Sequence, residues 1–253
     1  MSDAITRYGR ATRGFEARVA HASALLREAA EDHAGRIVQA SSLGAEGMVL
    51  TDLIARQKLQ VAVATLDTGM LHAETLALIP RIRAHYGIEV EVVRPRQEAV
   101  VQFVRRHGER AMFDSVELRK ACCATRKVEP MQRLLEGRSA WITGLRREQS
   151  ASRGTVPFFE IDADGREKFY PLADWSEADV WHYIGTREVP YNELHDRFFP
   201  SIGCAPCTRA ISLGEDPRAG RWWWEHGDSK ECGLHSLPLP SPRAQGQDEA
   251  VRA

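Results

Sequence analysis

The sequence predicts an α/β fold, a mostly parallel sheet flanked by helices, and three observations lead there. Short apolar runs of strand length recur through the first 144 residues. Helical patterns separate them, and several runs end in loops containing Ser, Gly or Asp. Such alternation marks units in which each crossover helix returns the chain to add a parallel strand. A length of 253 residues with 43% hydrophobic content suffices for one large domain with a sizeable core.

Taken in order, a helical pattern covers residues 15–29 and a short buried strand 37–40, ending in the loop 41–47. A helix follows at 48–59, a strand at 61–66, the turn Asp67-Thr68-Gly69, and a helix at 71–85. The third strand is 88–93, helices occupy 98–107 and 127–136, and the fourth strand is 140–144. Beyond Gly144 the rhythm changes. Residues 158–161 and 168–170 flank Asp164-Gly165 as a hairpin or two extended pieces. Ser176 caps a helix containing Val180 and Trp181, with Asp179 as capping-box partner and Trp175 as staple. We read residues 1–235 as a single domain and the proline-bearing stretch 236–253 as a mobile tail.

A net charge of −1 gives no overall pull toward nucleic acid or an anionic membrane. Charge is nevertheless uneven: between Arg94 and Arg147 stand thirteen lysines and arginines against six carboxylates, either a solvated helix surface or the lining of an anion site. The N-terminus lacks the basic start and apolar core of a secretory signal, and no apolar run reaches membrane-spanning length. A cytoplasmic location is therefore expected, where a CxxC is a metal ligand pair or a redox pair before it is a structural disulfide.

The five cysteines fall as the adjacent pair Cys122-Cys123, the CxxC of Cys204 and Cys207, and the single Cys232. Buried small hydrophobes are the plain reading, but the neighbours are polar or basic. Four thiolates suit tetrahedral zinc, for which adjacent cysteines are awkward, or an iron–sulfur cube with separate iron corners. Lys120, Arg126 and Lys127 would offset the charge of such a site and attract an anionic substrate. Cys232 remains for nucleophilic chemistry, with His235 close in sequence.

Three loops follow strands, where open α/β sheets place ligands. The first, beginning Ser41-Ser42-Leu43-Gly44, is an anion loop or a tight turn, without the standard phosphate-loop or dinucleotide glycine patterns. In the second, Asp67 accepts a ribose hydroxyl or caps the next helix. In the third, Arg146 and Arg147 receive a dianion through forked donors. Arg218 and Arg221 are further candidates to hold an anion, and Trp222-Trp223-Trp224 either stack on a purine or anchor the segment.

These stretches occur together as SSLGAEGMVLTD at 41–52, LDTG at 66–69, CCATRK at 122–127, GLRREQS at 144–150, SIGCAPCTRA at 201–210, GEDPRAGRWWWE at 214–225 and ECGLH at 231–235. In that order they resemble the assimilatory adenylylsulfate reductases of the adenylylsulfate/phosphoadenylylsulfate reductase family. The resemblance implies an adenine nucleotide α-hydrolase-like fold with a mobile C-terminal segment. It places Ser41, Ser42, Leu43 and Gly44 at the phosphosulfate, Leu66 and Gly69 around the adenosine, and Arg146 on the nucleotide. Arg218 and Arg221 would engage the anionic end, Cys122, Cys123, Cys204 and Cys207 would ligate a [4Fe–4S] cluster with Lys127 nearby, and Cys232 would be the nucleophile, with His235 in its motif.

The implied activity is reduction of adenosine 5′-phosphosulfate to sulfite and AMP through an S-sulfocysteine. Reduced thioredoxin would be a separate partner, since no thioredoxin-like domain is visible, and a homo-oligomer fits the resemblance. The alternatives are a reductase of the 3′-phosphorylated nucleotide, whose typical members lack the four cluster cysteines, and a non-catalytic zinc or iron–sulfur sensor, which would leave the nucleotide loops without a purpose. An ATP-dependent tRNA-thiolating enzyme is disfavoured by the absence of its SGGxDS-type loop. One departure is Ala73, where the resemblance leads us to expect proline before Glu74-Thr75.

Overall fold

The computed structural model describes residues 3–150 and 153–225; Cys232, His235 and the tail 236–253 lie outside the described residues. Helices α1 (Ala4–Tyr8) and α2 (Phe15–Asp32) precede β1 (Ile37–Ser41), α3 (Ala45–Arg56), β2 (Ala62–Leu66), α4 (Ala73–Tyr86), β3 (Val90–Val93) and α5 (Gln97–His107). Then come α6 (Val116–Cys123), a π-helical turn (Ala124–Val128), α7 (Glu129–Leu135), β4 (Ala140–Ile142), β5 (Phe159–Ile161), β6 (Glu167–Phe169) and α8 (Glu177–Arg187).

The six strands lie in the order β3-β2-β1-β4-β6-β5. All pairs are parallel except β5 with β6, the predicted hairpin, where Phe159 faces Phe169. Apolar residues pack on both faces. One core joins α2, α3 and α8 to the sheet, and a second places Met131, Leu134 and Leu135 of α7 against Val38, Ala64 and Trp141. Burial on both faces explains why successive residues of β1 are buried rather than alternating, with Ile37 in one core and Val38 in the other. Strand order reverses between β1 and β4, so a crevice opens above their carboxyl ends.

The helix boundaries that bear on the site differ from the sequence reading. Helix α3 begins at Ala45, three residues early, because extended Gly44 serves as N-cap and accepts the Met48 N–H at 3.0 Å. Glu46 and Gly47 thereby become first-turn residues. Helix α6 went unpredicted, although Ser115 caps it by accepting from the Leu118 N–H at 3.1 Å. With the π turn and α7 it forms one helical run over 116–135, so the predicted helix 127–136 is only its end. Ala73 is the first residue of α4, a position that accepts proline and alanine alike, which makes the departure from the family pattern inexpensive. The capping box of α8 forms as predicted, with Ser176 Oγ accepting at 3.0 Å and Asp179 Oδ2 accepting at 3.1 Å. Trp175 shares the core with Val180, as a staple requires.

Candidate active site

A cavity of about 420 Å³ occupies the crevice above β1, β2 and β4. Ala40, Leu66, Met131 and Trp141 make an apolar part of its wall beside α7, while Ser41, Ser42 and Gly44 meet it at the start of α3. Lys127, Arg146, Arg153, Arg218 and Arg221 outnumber the carboxylates Glu46, Glu148 and Glu177 in the rest of the lining. The start of α3 adds backbone donors and a positive helix end, the standard means of holding phosphate.

Local conformation decides which loop residues face this space. Leu43 has φ +57° and its side chain is wholly buried in the main core, so only its backbone could meet a ligand in the loop. The left-handed residue turns the chain over, and its N–H donates to Ser41 Oγ at 3.1 Å. Gly47 permits that arrangement, since a Cβ there would lie 2.6 Å from Ser41 Oγ. Gly69 also lies away from the cavity wall. Its φ of +71° closes the turn after β2, beside the Arg126 guanidinium, which donates to the Thr68 carbonyl at 2.9 Å.

Asp67 neither caps α4 nor faces the cavity. Its carboxylate accepts from the Gly69 N–H at 3.0 Å and from Arg94 Nε at 2.9 Å. The arginine pair divides as well. Arg147 turns away, donating to the Val156 carbonyl at 2.7 Å and stacking over Phe158. Arg146 stays on the cavity wall but is held by Glu46 at 2.9 Å, Glu148 at 3.2 Å and the Trp175 carbonyl at 3.3 Å. Burial drives the Glu46 carboxyl upward, yet Arg146 and Gln149 more than reverse this and hold it below the usual carboxylate range. Burial pushes the neighbouring Glu177 up.

Behind the cationic wall lie the four cysteines, all buried and unbridged. Cys122 and Cys123 end α6, while Cys204 caps the short 3-10 turn Ala205–Cys207. That turn is fastened to the loop after β2 by the Ala205 N–H, which donates to the Met70 carbonyl at 2.7 Å, and by Thr68 Oγ1, 3.2 Å from Cys204 Sγ. Burial, then Cys204 and Cys123, push Cys207 up to about 12. Burial and Cys204 raise Cys122, opposed by Arg126 and Lys127. Lys127 also opposes the rise at Cys207, as does Arg221, so two cavity cations serve both the cavity and the sulfur pocket.

Arg221 is itself buried. It reaches Ser201 Oγ at 3.3 Å and stacks on Trp222 at 4.6 Å, where Gly203 leaves room for its guanidinium. Trp222 is buried in one cluster with Cys122, Cys204 and Cys207, which makes it an anchor of the segment, and it also meets the cavity, while Trp223 is 39% exposed. Sequence reasoning missed Glu46, Gln149, Thr68 and His195 as wall or pocket residues. The first three stood inside quoted motifs, whereas His195 carried no local signal.

Fold and site together define an open α/β protein of the type that binds anionic ligands at a strand switch point, here backed by a four-thiol pocket. The chain belongs to the phosphoadenosine phosphosulfate reductase domain family, whose model matches residues 36–210. The adenosine 5′-phosphosulfate reductase of Allochromatium vinosum is 53% identical over 216 residues, 85% of this chain and 84% of that protein. The phosphoadenylyl-sulfate reductase of Candida auris, solved as a phosphate complex, superposes with TM-score 0.64 at 28% identity, covering 78% of this chain and 97% of that one. An FMN adenylyltransferase of Candida glabrata, solved with FAD and pyrophosphate, shares the fold at TM-score 0.55 and 14% identity, over 93% of this chain and 84% of that one. Among the described residues no helix is long and apolar enough to cross a membrane.

Proposed function

We propose that this protein reduces adenosine 5′-phosphosulfate to sulfite and AMP in sulfate assimilation, with reduced thioredoxin as the electron donor. The observation that carries the reading is the cavity above β1, β2 and β4, whose cations Lys127 and Arg221 also face a pocket of four cysteines. The apolar wall beside α7 suits a purine, and the α3 terminus with Arg218 and Arg221 suits the anionic end. We further propose residues 1–235 as one domain, a cytoplasmic location and a homo-oligomeric state compatible with the family.

The four cysteines fit an iron–sulfur cluster better than other occupants. Left as neutral thiols they place four weakly bonded sulfurs against a cationic wall. A [4Fe–4S] cube takes one thiolate at each of four separate irons, which accommodates the adjacent pair Cys122-Cys123 more readily than a single tetrahedral zinc does. When bound at Cys122, Cys123, Cys204 and Cys207, the cluster supplies structural and electrostatic support to the adjoining anion site.

In the reaction, the Cys232 thiolate attacks the sulfuryl sulfur, the sulfur–oxygen bond to phosphate breaks, and AMP leaves with that electron pair. Cys232 then carries a sulfonate. A thioredoxin thiolate attacks the Cys232 sulfur and expels sulfite, and the second thioredoxin thiol resolves the mixed disulfide. Thioredoxin is thus oxidised by two electrons and sulfate is reduced to sulfite. Lys127, Arg218 and Arg221 offset the repulsion between thiolate and phosphosulfate, an effect strengthened where water is excluded; His235 shares the nucleophile's motif.

The test is anaerobic purification with iron and sulfide analysis, followed by sulfite release from adenosine 5′-phosphosulfate with reduced thioredoxin. Cys232→Ser is expected to retain iron and bind nucleotide without forming the covalent adduct, and a normal adduct in that variant removes Cys232 from its role. The Candida auris likeness keeps the 3′-phosphorylated nucleotide as a second reading. Competition between the two nucleotides separates them.

A further inference from the structure

Arg119 is wholly buried, and neither the cavity nor the cysteine ligation uses it. A guanidinium brought so deep loses its hydration and persists only when its donors are met. Its Nε and Nη2 donate to the two carboxylate oxygens of Glu225 at 2.7 and 2.9 Å, a forked pair joining residues 106 apart in sequence. The side chain of Glu225 is itself only 8% exposed. Arg119 stands one helical turn before Cys123 on α6 and hydrogen-bonds its sulfur. Its guanidinium also lies 4.6 Å from the Trp222 ring centroid, the same distance as that of Arg221. A continuous set of contacts therefore runs from Cys123 through Arg119 and Trp222 to the cavity cation Arg221.

We propose that Arg119 is a positioning residue that clamps the cysteine pocket to the segment carrying Arg221 and Glu225, so that an assembled four-thiolate site and a correctly placed anion-binding arginine stabilise each other. The proposal rests on the reading of the four cysteines as cluster ligands. Glu225 also anchors the chain seven positions before Cys232, which limits the nucleophile to a radius of roughly 25 Å at full extension. Removing either partner leaves the other buried without its counter-charge, so the disturbance reaches both the sulfur pocket and Trp222.

The experiment uses full-length protein purified without oxygen and needs no turnover. Glu225→Gln and Arg119→Lys are compared with wild type and with Glu215→Gln, which takes the charge out of a half-buried ion pair with Arg209 elsewhere in the same region. First-order loss of the cluster absorbance under an iron chelator reports the pocket, and AMP affinity reports the cavity. Both clamp variants are expected to lose iron at least about tenfold faster and to bind AMP more weakly, while Glu215→Gln matches wild type. The double variant is expected to be no worse than the worse single one, because the two residues act as a unit. Glu225→Asp keeps the measurement available if the amide variant does not fold.

Iron loss within twofold of wild type in both clamp variants overturns the proposal. Faster iron loss with unchanged AMP affinity refutes the link to the cavity and with it the clamp. A wild-type protein that carries no iron overturns the cluster reading and the clamp together. Iron-loaded wild type that fails to release sulfite from adenosine 5′-phosphosulfate refutes the proposed reaction, while the clamp is still judged on iron loss and AMP binding.

Discussion

Replacing Glu46 by glutamine isolates the ion pair that holds Arg146 on the cavity wall. The Arg146 side chain is 7% exposed and that of Glu46 20%, with nitrogen and oxygen 2.9 Å apart. Glutamine retains an acceptor for Arg146 and Gln149 but removes the charge. Breaking a buried pair by deleting one partner costs about 3–5 kcal/mol. Here Glu148 at 3.2 Å still offers a carboxylate, though a largely exposed one, and the Trp175 carbonyl still accepts. The expected loss is therefore about 2–3 kcal/mol, or a Tm fall of roughly 5–10 °C for a chain of this size. The assay is a thermal scan of iron-loaded protein at a fixed rate without oxygen. Because the folded Glu46 carboxyl lies below its ordinary value of 4.5, the wild-type advantage is complete above that pH and disappears as pH falls through the folded value. AMP affinity is expected not to fall, since the substitution removes a negative charge from an anion site. A Tm change under about 2 °C would show that solvent already screens the pair, and a tenfold loss of AMP affinity in the folded variant would make Glu46 a ligand contact instead.

Three further outcomes follow from the same geometry. Lys127→Ala is expected to weaken binding of anionic nucleotide by about tenfold at low salt, with the gap narrowing as salt screens the cavity; titration at two ionic strengths checks it. In Gly203→Ala the new Cβ would sit 2.5 Å from Arg221 Nη2, displacing that guanidinium, so AMP affinity should fall while the far-ultraviolet spectrum is kept. His195 is buried with both ring nitrogens unpaired, and burial pushes its pKa down to about 4 against the opposing pull of the Glu46 carboxylate. The unfolded imidazole titrates near 6.5, so stability is full above that value and declines by up to about 3 kcal/mol as pH falls toward 4. Denaturant midpoints for wild type and His195→Leu between pH 8 and 4 test this, and parallel curves would contradict it.

The division of labour around the cavity follows from the crevice. Helix α7 packs on one face of the sheet and α3 on the other, so one ligand can lay a flat apolar part beside α7 and bring an anionic part to the α3 terminus and the arginines. Lys127 emerges from the π-helical turn directly after the cysteine pair. Such a local widening of a helix commonly marks a functional position. Here it presents a cation to the cavity while Cys122 and Cys123 stay in the pocket.

The sequence by itself determined the α/β alternation, the hairpin, the α8 capping box and the loops at the strand ends, because those features rest on local periodicity and turn chemistry. It also ranked the cysteines as four and one, since spacing and neighbours are local properties. Only the tertiary structure decided where individual side chains went. A left-handed residue sends Leu43 into the core, Arg94 claims Asp67, Phe158 and the Val156 carbonyl draw Arg147 away, and Trp222 is an anchor. The pairing of Arg119 with Glu225 lay beyond sequence reading for the same reason. Its partners meet only because the fold seats the segment after the CxxC against α6, and no local pattern records a contact between residues so far apart in the chain.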